Sequence, residues 1–389
     1  MKVAIFESII TSGGHEVDFD RLLVEELEQQ GHEPILYVPE GFPFQHTYTT
    51  AVRYLSGQGV SYAGATGLKK NWLSLVREHR RYYWFQQLYQ AAAAGQFDAL
   101  IVPTSTYRYL RGLRRSKLKN SPVPIVFIVH GVNPTEKPKL TKEIVNFAEY
   151  QAVKVAVIHC GSTLFPKKYT QVRTIKPPTY LPRDRELPVD FAVSSDSPLT
   201  LGFFGQYRRE KNLEALLKLF LDCHFERSVQ LKIQGSTVNP EDRDDFDRII
   251  AKYSNNPQLS FLHQGLFGRE WQQAIAAVDA LIMPYAAPRY RYHWGGMLFT
   301  AIGFQKPVLL SEDINPEVLD EYNIGQTFDA TDSQQLKETL EKFVNTYDSQ
   351  QSVYHSELVR ACEDFAPARF VQQVIQFAKG EQHHDFNSH

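Results

Sequence analysis

Residues 201–212 read LGFFGQYRREKN, an apolar run that stops at a glycine and is followed by Arg208, Arg209 and Lys211. A helical stripe then begins, with Leu213, Leu216, Leu217, Phe220 and Leu221 on one face. Asn212 is placed to cap that helix, and Glu214 lies in its first turn. Gly205 lets the chain turn with no side chain in the way. A helix start offers unpaired N–H groups and the positive end of a dipole. Cations added there suit a diphosphate, because charge-assisted bonds to an oxyanion are roughly twice as strong as neutral ones. Two readings are open for the loop alone: a diphosphate site, or a solvated cluster pairing with Glu210 and neighbouring acids.

Three further loops have residue types that do chemistry. In PRYRYHWGGMLFTAIGFQKPVLLSE, residues 288–312, Gly295 and Gly296 open a short apolar helix that starts at Met297. Arg289, Tyr290, Arg291, Tyr292, His293 and Trp294 crowd ahead of it, as a second anion-ready terminus or as aromatics packed on a domain edge. The loop TSGGH, 11–15, brings Gly13 and Gly14 to the end of the first strand without a full dinucleotide fingerprint. In VHGVNP, His130 ends an apolar run, where an imidazole serves as base, as donor, or as a structural group. DFD occurs at 18–20 and 245–247, but within helical patterns, and is read as solvated helix face rather than metal site. No P-loop and no H-E-x-x-H is present.

The elements that must hold these loops form two series. KVAIFE, PILYVP, FDALIVPTS, VPIVFIVHG and VKVAVIHCGS are strand-like runs with helical stretches between them, such as Phe19, Leu22, Leu23 and Leu27. After a proline-, charge- and serine-rich stretch at 177–198 a second series follows: LTLGFFG, VQLKIQGS with Gly235 at its end, LSFLHQG, ALIMPY and KPVLLSE. This alternation predicts α/β domains with parallel sheets, whose ligands lie beyond the carboxyl ends of the strands. The expected division is a Rossmann-like domain at 1–183, a linker at 184–198, and a second Rossmann-like domain at 199–366. A helix at 367–380 packs back on the first domain, and 381–389 is a flexible tail.

The chain has 389 residues, 43% hydrophobic and 22% charged, with 20 tyrosines and 25 phenylalanines, enough apolar material for two cores. Cys160, Cys223 and Cys362 are far apart, against a disulfide framework or zinc site and in keeping with a reducing compartment. The opening MKVAIFES is too short and acidic for a signal peptide, and no run approaches a membrane span. A cytoplasmic location is expected, peripheral on the inner face of the membrane.

Taken in order, these loops resemble those of GT-B glycosyltransferases, most closely the family-4 type that uses nucleotide-sugar donors. LGFFGQYRREKN resembles the family's G-R-x…K-G/N element, with Gln206 in place of the first arginine, Arg208 or Arg209 substituting for it, and Lys211 matching. LKIQGST resembles the strand and loop near the nucleoside. GGMLFTAIGFQKPVLLSE resembles the F-G-x-x-x-x-E-A-x-A-x-G-x-P-V signature, with Tyr292 and Thr300 standing where the family has glutamates. SGGHEVDFDRLLVEELEQQGHEPILYV resembles the opening glycine loop and G-H-E-V element, and His130 falls where the family often has a sugar-facing histidine. The resemblance implies two Rossmann-like domains facing each other across a cleft, and metal-independent transfer of a sugar from a UDP or GDP donor to a glycan or glycolipid acceptor. It implies no cofactor. The catalytic residues expected are His130, Arg209 and Lys211. The donor would be bound by Gly13, Gly14, Gly205, Arg208, Arg209, Lys211, Gly235, Tyr292, His293, Gly295, Gly296, Met297 and Thr300. The two replaced glutamates keep open a catalytically silent protein that binds a sugar nucleotide or glycan as a partner subunit.

Between residues 66 and 120 there are eleven Lys/Arg against two Asp/Glu, although the whole chain has a net charge of −2. Lys69, Lys70, Arg80, Arg81, Arg111, Arg114 and Arg115, interleaved with aromatics, are expected to meet an anionic membrane surface or a lipid-linked acceptor. The charge would suit nucleic acid as well, but no nucleic-acid motif accompanies it, and no nucleic-acid partner is expected.

Overall fold

A computed structural model of the chain describes residues 1–10, 16–61, 65–147, 149–161, 165–166, 168–181 and 197–381. The chain divides into two compact units, Met1–Pro178 with Pro367–His389, and Thr179–Ala366. The first unit ends a little before residue 183, because Thr179 already belongs to the second: its N–H donates to the Phe365 carbonyl at 2.8 Å. Most of the expected linker lies outside the described residues.

The first unit contains β1 (Lys2–Phe6), α1 (Arg21–Gln29), β2 (Glu33–Glu40), β3 (Ala51–Gln58), α2 (Gly67–Ala93), β4 (Ala99–Val102), α3 (Tyr107–Arg114), β5 (Ile125–Val129), α4 (Lys137–Asn146), β6 (Val153–Ile158) and β7 (Val172–Ile175). Its strands form one parallel sheet in the order β3-β2-β1-β4-β5-β6-β7. The central runs ALIV and IVFIV are buried at every position. Near-continuous apolar strands of this kind need cover on both faces, which the crossover helices supply. α1 buries Leu22, Leu23 and Leu27, the stripe read from the sequence.

Asp20, at the end of one DFD, is fully buried, so the solvated-face reading fails there. Arg81 is also buried, with its guanidinium 2.9 Å from Glu78 and 3.7 Å from the centre of the Tyr109 ring, and it offers no surface cation. Arg114 lies 3.7 Å from Glu143.

The second unit contains β8 (Leu199–Phe203), α5 (Leu213–Asp222), β9 (Val229–Gly235), α6 (Pro240–Tyr253), β10 (Leu259–His263), α7 (Gly268–Ala276), β11 (Ala280–Met283), α8 (Gly296–Gly303), β12 (Val308–Ser311), α9 (Pro316–Glu321), β13 (Gly325–Phe328) and α10 (Ser333–Asp364). Its sheet is parallel, ordered β10-β9-β8-β11-β12-β13. The chain builds outward in one direction from β8, then returns to β8 and builds the other way. The order reverses between β8 and β11, and at such a switch point the two flanking loops diverge and leave a crevice. The last helix, α11 (Pro367–Lys379), belongs to the first unit. It buries Phe370, Val371, Val374 and Phe377, with the Phe370 ring 5.7 Å from Phe19.

Candidate functional site

A cleft of about 300 Å³ opens in the second unit beyond the carboxyl ends of β8, β11 and β12. Three loops line it. Gln206, Arg208 and Lys211 come from the loop after β8; Met283, Tyr285, Tyr290 and Trp294 from β11 and the segment after it; Gly295, Gly296, Met297 and Leu298 from the start of α8, with Ile314 after β12. The cationic turn at 208–211 and the glycine-led helix start therefore share one cavity. Among the described residues, no Asp or Glu lines it.

Lys211 closes a short 3-10 turn, Arg209–Lys211. Its side chain is buried, with the ammonium 4.7 Å from the centre of the Tyr285 ring and 5.9 Å from that of Phe203. Among the described residues it has neither an ion-pair nor a hydrogen-bond partner. Burial first, and repulsion from Arg208 second, lower its pKa to about 7. Gly205, at φ +101°, makes this placement possible: a β-carbon there would lie 3.5 Å from the ammonium and would strain the backbone. The Gly205 N–H donates to Gln234 Oε1 at 3.0 Å, which fixes the turn to β9.

The other two cations of the cluster behave differently. Arg208 lines the cleft, donating to Gln206 Oε1 at 3.2 Å and lying 3.8 Å from Glu210. Glu210 also holds Arg289 and accepts from the Tyr290 hydroxyl at 3.1 Å, so one carboxylate ties the two loops together. Arg209 turns the opposite way. Its guanidinium pairs with Glu241 at 2.6 Å and Asp242 at 4.0 Å on α6, and it does not line the cleft. Asn212 sits at the head of α5 in the left-handed region, at φ +58°, and its amide donates to Ala330 O instead of capping the helix.

The α8 side is fixed by Asn315, which is 2% exposed. Its Oδ1 accepts from the Gly295 N–H at 3.0 Å and its amide donates to His293 O at 3.4 Å. A β-carbon on Gly295 would lie 2.5 Å from that Oδ1, so the position excludes any side chain. The Met297 N–H lies in the first turn of α8, where the helix itself supplies no acceptor. Trp294, half of a ring pair with Tyr180 at 4.8 Å, forms an aromatic wall. Burial raises the pKa of the Tyr285 and Tyr290 phenols, so both stay neutral donors at ordinary pH.

Several expected donor residues stand apart from the cleft. Gly235 ends β9 under α6, where a β-carbon would come within 2.8 Å of Phe246. Thr300 is buried and its hydroxyl donates to Gly296 O at 3.0 Å, one helical turn back. Tyr292 and His293 lie between Tyr290 and Trp294, which line the cleft, without lining it themselves. Gly13 and Gly14 lie outside the described residues. In the first unit His130 follows β5; its Nε2 donates to Pro103 O at 2.7 Å, and its ring packs 4.6 Å from Phe19. Tyr285, Met283 and Ile314 were not singled out from the sequence, whereas Tyr290 and Trp294 were named as aromatics crowding ahead of the α8 start. The signal available for Tyr285 was its place at the end of the apolar run ALIMPY, beside a strand terminus.

Residues 189–356 match the family described as Glycosyl transferases group 1. No curated protein matches the chain at the level of sequence. Among solved structures, Alr3699/HepE of Anabaena, in complex with UDP and glucose, is 14% identical, with 97% of this chain and 99% of that one covered and a TM-score of 0.63. The lipopolysaccharide outer core galactosyltransferase WaaB is also 14% identical, over 97% and 99% of the two chains, at a TM-score of 0.61. A glycosyltransferase from Rickettsia africae ESF-5 is 11% identical, over 97% of each chain, at 0.67. The chain is thus a two-domain α/β protein of the GT-B glycosyltransferase fold, and its residues 189–356 match the group 1 glycosyl transferases.

Proposed function

We propose that the protein transfers a sugar from a nucleoside-diphosphate donor, of UDP or GDP type, to a glycan or glycolipid acceptor in surface polysaccharide or glycolipid synthesis. The observation that carries this reading is the buried Lys211 ammonium, which among the described residues has no carboxylate partner and which faces a cleft lined by Arg208, the first turn of α8 and three aromatic rings. A buried cation without a counter-ion is costly, and a bound diphosphate supplies what is missing. Trp294, Tyr285 and Tyr290 offer flat apolar contact for the rest of a nucleotide. The similarity to a structure that holds UDP and glucose supports the same class of ligand here. WaaB, named as a lipopolysaccharide galactosyltransferase, supports a surface-glycan acceptor.

In glycosyl transfer the bond from the anomeric carbon to the diphosphate breaks, and negative charge grows on the departing phosphate. Lys211, Arg208 and Met297 line one cleft, and in this reading the two cations and the Met297 N–H stabilise that charge, a task that then requires no metal. His130 takes the sugar-facing role that the family resemblance implies. The test is release of free nucleoside diphosphate from a panel of nucleotide sugars, with and without acceptor glycans and with chelator present. Turnover of one donor, lost in Lys211→Ala and reduced in His130→Ala while donor binding persists in the latter, supports the transferase. Tight binding with no turnover under any acceptor would make the protein a silent sugar-nucleotide binder, the reading that Tyr292 and Thr300 favour.

A further inference from the structure

The helix α2 has two apolar faces, and only one of them meets the protein. Its 27 residues bury Arg81, Trp84, Phe85, Leu88, Ala91 and Ala92, all in the second half. None of residues 67–80 is fully buried, and only Leu73, Ser74, Val76, Arg77 and Glu78 are half-buried on the inner side of this segment of about 21 Å. At about 100° per residue, Leu68, Trp72, Leu75, Tyr82 and Tyr83 fall on one stripe directly opposite the buried one. Their exposures are 87%, 63%, 70%, 38% and 50%. Five large apolar side chains turned to water along one face are not an ordinary solvated surface.

We infer that this outer face of α2 lies in the plane of an anionic lipid bilayer, with Leu68, Trp72 and Leu75 entering the headgroup–acyl boundary. Lys69 and Arg80, both exposed, border the stripe on one side. Glu78 is the only acid in the helix, and it is engaged by Arg81. Apolar anchors, ring side chains with a polar tip and flanking cations together make an interfacial helix. A second copy of the chain fits less well, because packing α2 on α2 along this stripe brings Lys69 and Arg80 of each copy to the seam. The attachment differs from the electrostatic one expected across 69–119. Arg81 is withdrawn from it by burial, Arg114 is paired with Glu143, and its core is insertion of apolar side chains. This inference rests on α2 alone and stands or falls independently of the transferase reading.

The experiment is flotation of the full chain with vesicles of phosphatidylcholine containing one third phosphatidylglycerol, at low salt and at about 0.5 M NaCl, where screening shortens the Debye length to a few ångströms. Wild-type protein is expected to bind at low salt and to keep part of that binding at high salt. The triple variant Leu68→Ser, Trp72→Ser, Leu75→Ser should partition at least about tenfold more weakly and lose the salt-resistant part. Lys69→Glu with Lys70→Glu and Arg80→Glu should lose only the salt-sensitive part. Unchanged circular-dichroism melting shows that each variant folds, the expected result because every substituted side chain is exposed. Binding that survives the triple variant overturns the inference, as does failure of the wild type to bind. So does a sedimentation-equilibrium dimer abolished by the triple variant in protein that ignores vesicles.

Discussion

Lys211 is the residue on which the proposed chemistry depends. Its loss should remove a charge that acts on the leaving diphosphate, and a single preorganised donor of this kind is worth about 10²–10³ in rate. Lys211→Ala is therefore expected to lower donor turnover by about that factor. The pKa near 7 gives a second, independent signature. A lysine whose folded-state value lies below its unfolded value of about 10.4 holds fewer protons folded than unfolded between those limits, so stability rises with pH across that window. The burden is fully present below pH 7. Lys211→Met should accordingly melt several degrees higher than wild type at pH 6, with the gap closing towards pH 10 in calorimetric scans. Affinity for a nucleotide sugar, whose diphosphate charge is constant between about pH 6 and 8.5, should fall as pH rises above 7 in the wild type and stay flat in the variant over that interval. The cluster of cations was legible in the sequence. Which of them enters the cleft was not, because Arg209 is turned away by Glu241 and Asp242, more than thirty positions downstream.

At the scale of elements, the cleft depends on how two loops are held against one helix start. Asn315 does this for α8 from a left-handed conformation at φ +39°, accepting from Gly295 and donating to His293 O. Asn315→Ala leaves the Gly295 N–H without its partner in a half-buried setting, which costs about 1–2 kcal/mol of stability. Donor affinity should weaken about tenfold in the same variant, measured by titration calorimetry. Asn315→Asp, which keeps the acceptor, should recover most of both losses. The glycine pair at 295–296 was visible as a place without side chains. Asn315 was not, because nothing local in SEDINPE distinguishes it from a loop asparagine; its role exists only once β12 brings it beside the helix start. Helix α2 teaches a related lesson. Its aromatics and cations were read together as one surface, whereas the fold buries Trp84, Phe85 and Arg81 and exposes Trp72 and Leu75. A stripe of 3.6 periodicity cannot say where along a helix the core stops.

For the whole molecule, the parallel α/β character followed from apolar strand runs alternating with helical stretches, and both sheets have that form. Neighbours only 11–14% identical share the fold because it requires buried strand interiors and small residues at switch-point turns, conditions that many sequences meet. A ligand that binds only the folded chain stabilises it by mass action, about 2.7 kcal/mol at a hundredfold excess over Kd. The cognate nucleoside diphosphate should therefore raise the melting temperature in a concentration-dependent way, and should fail to do so in Lys211→Ala. The measurement that bears most directly on the account is a crystal structure with a nucleoside diphosphate bound. The account predicts phosphate oxygens at about 2.7–2.9 Å from Lys211 Nζ and at hydrogen-bond distance from the Met297 N–H, with Arg208 alongside. A diphosphate bound elsewhere on the second unit, with Lys211 still facing Tyr285 and touching no oxygen, would contradict it.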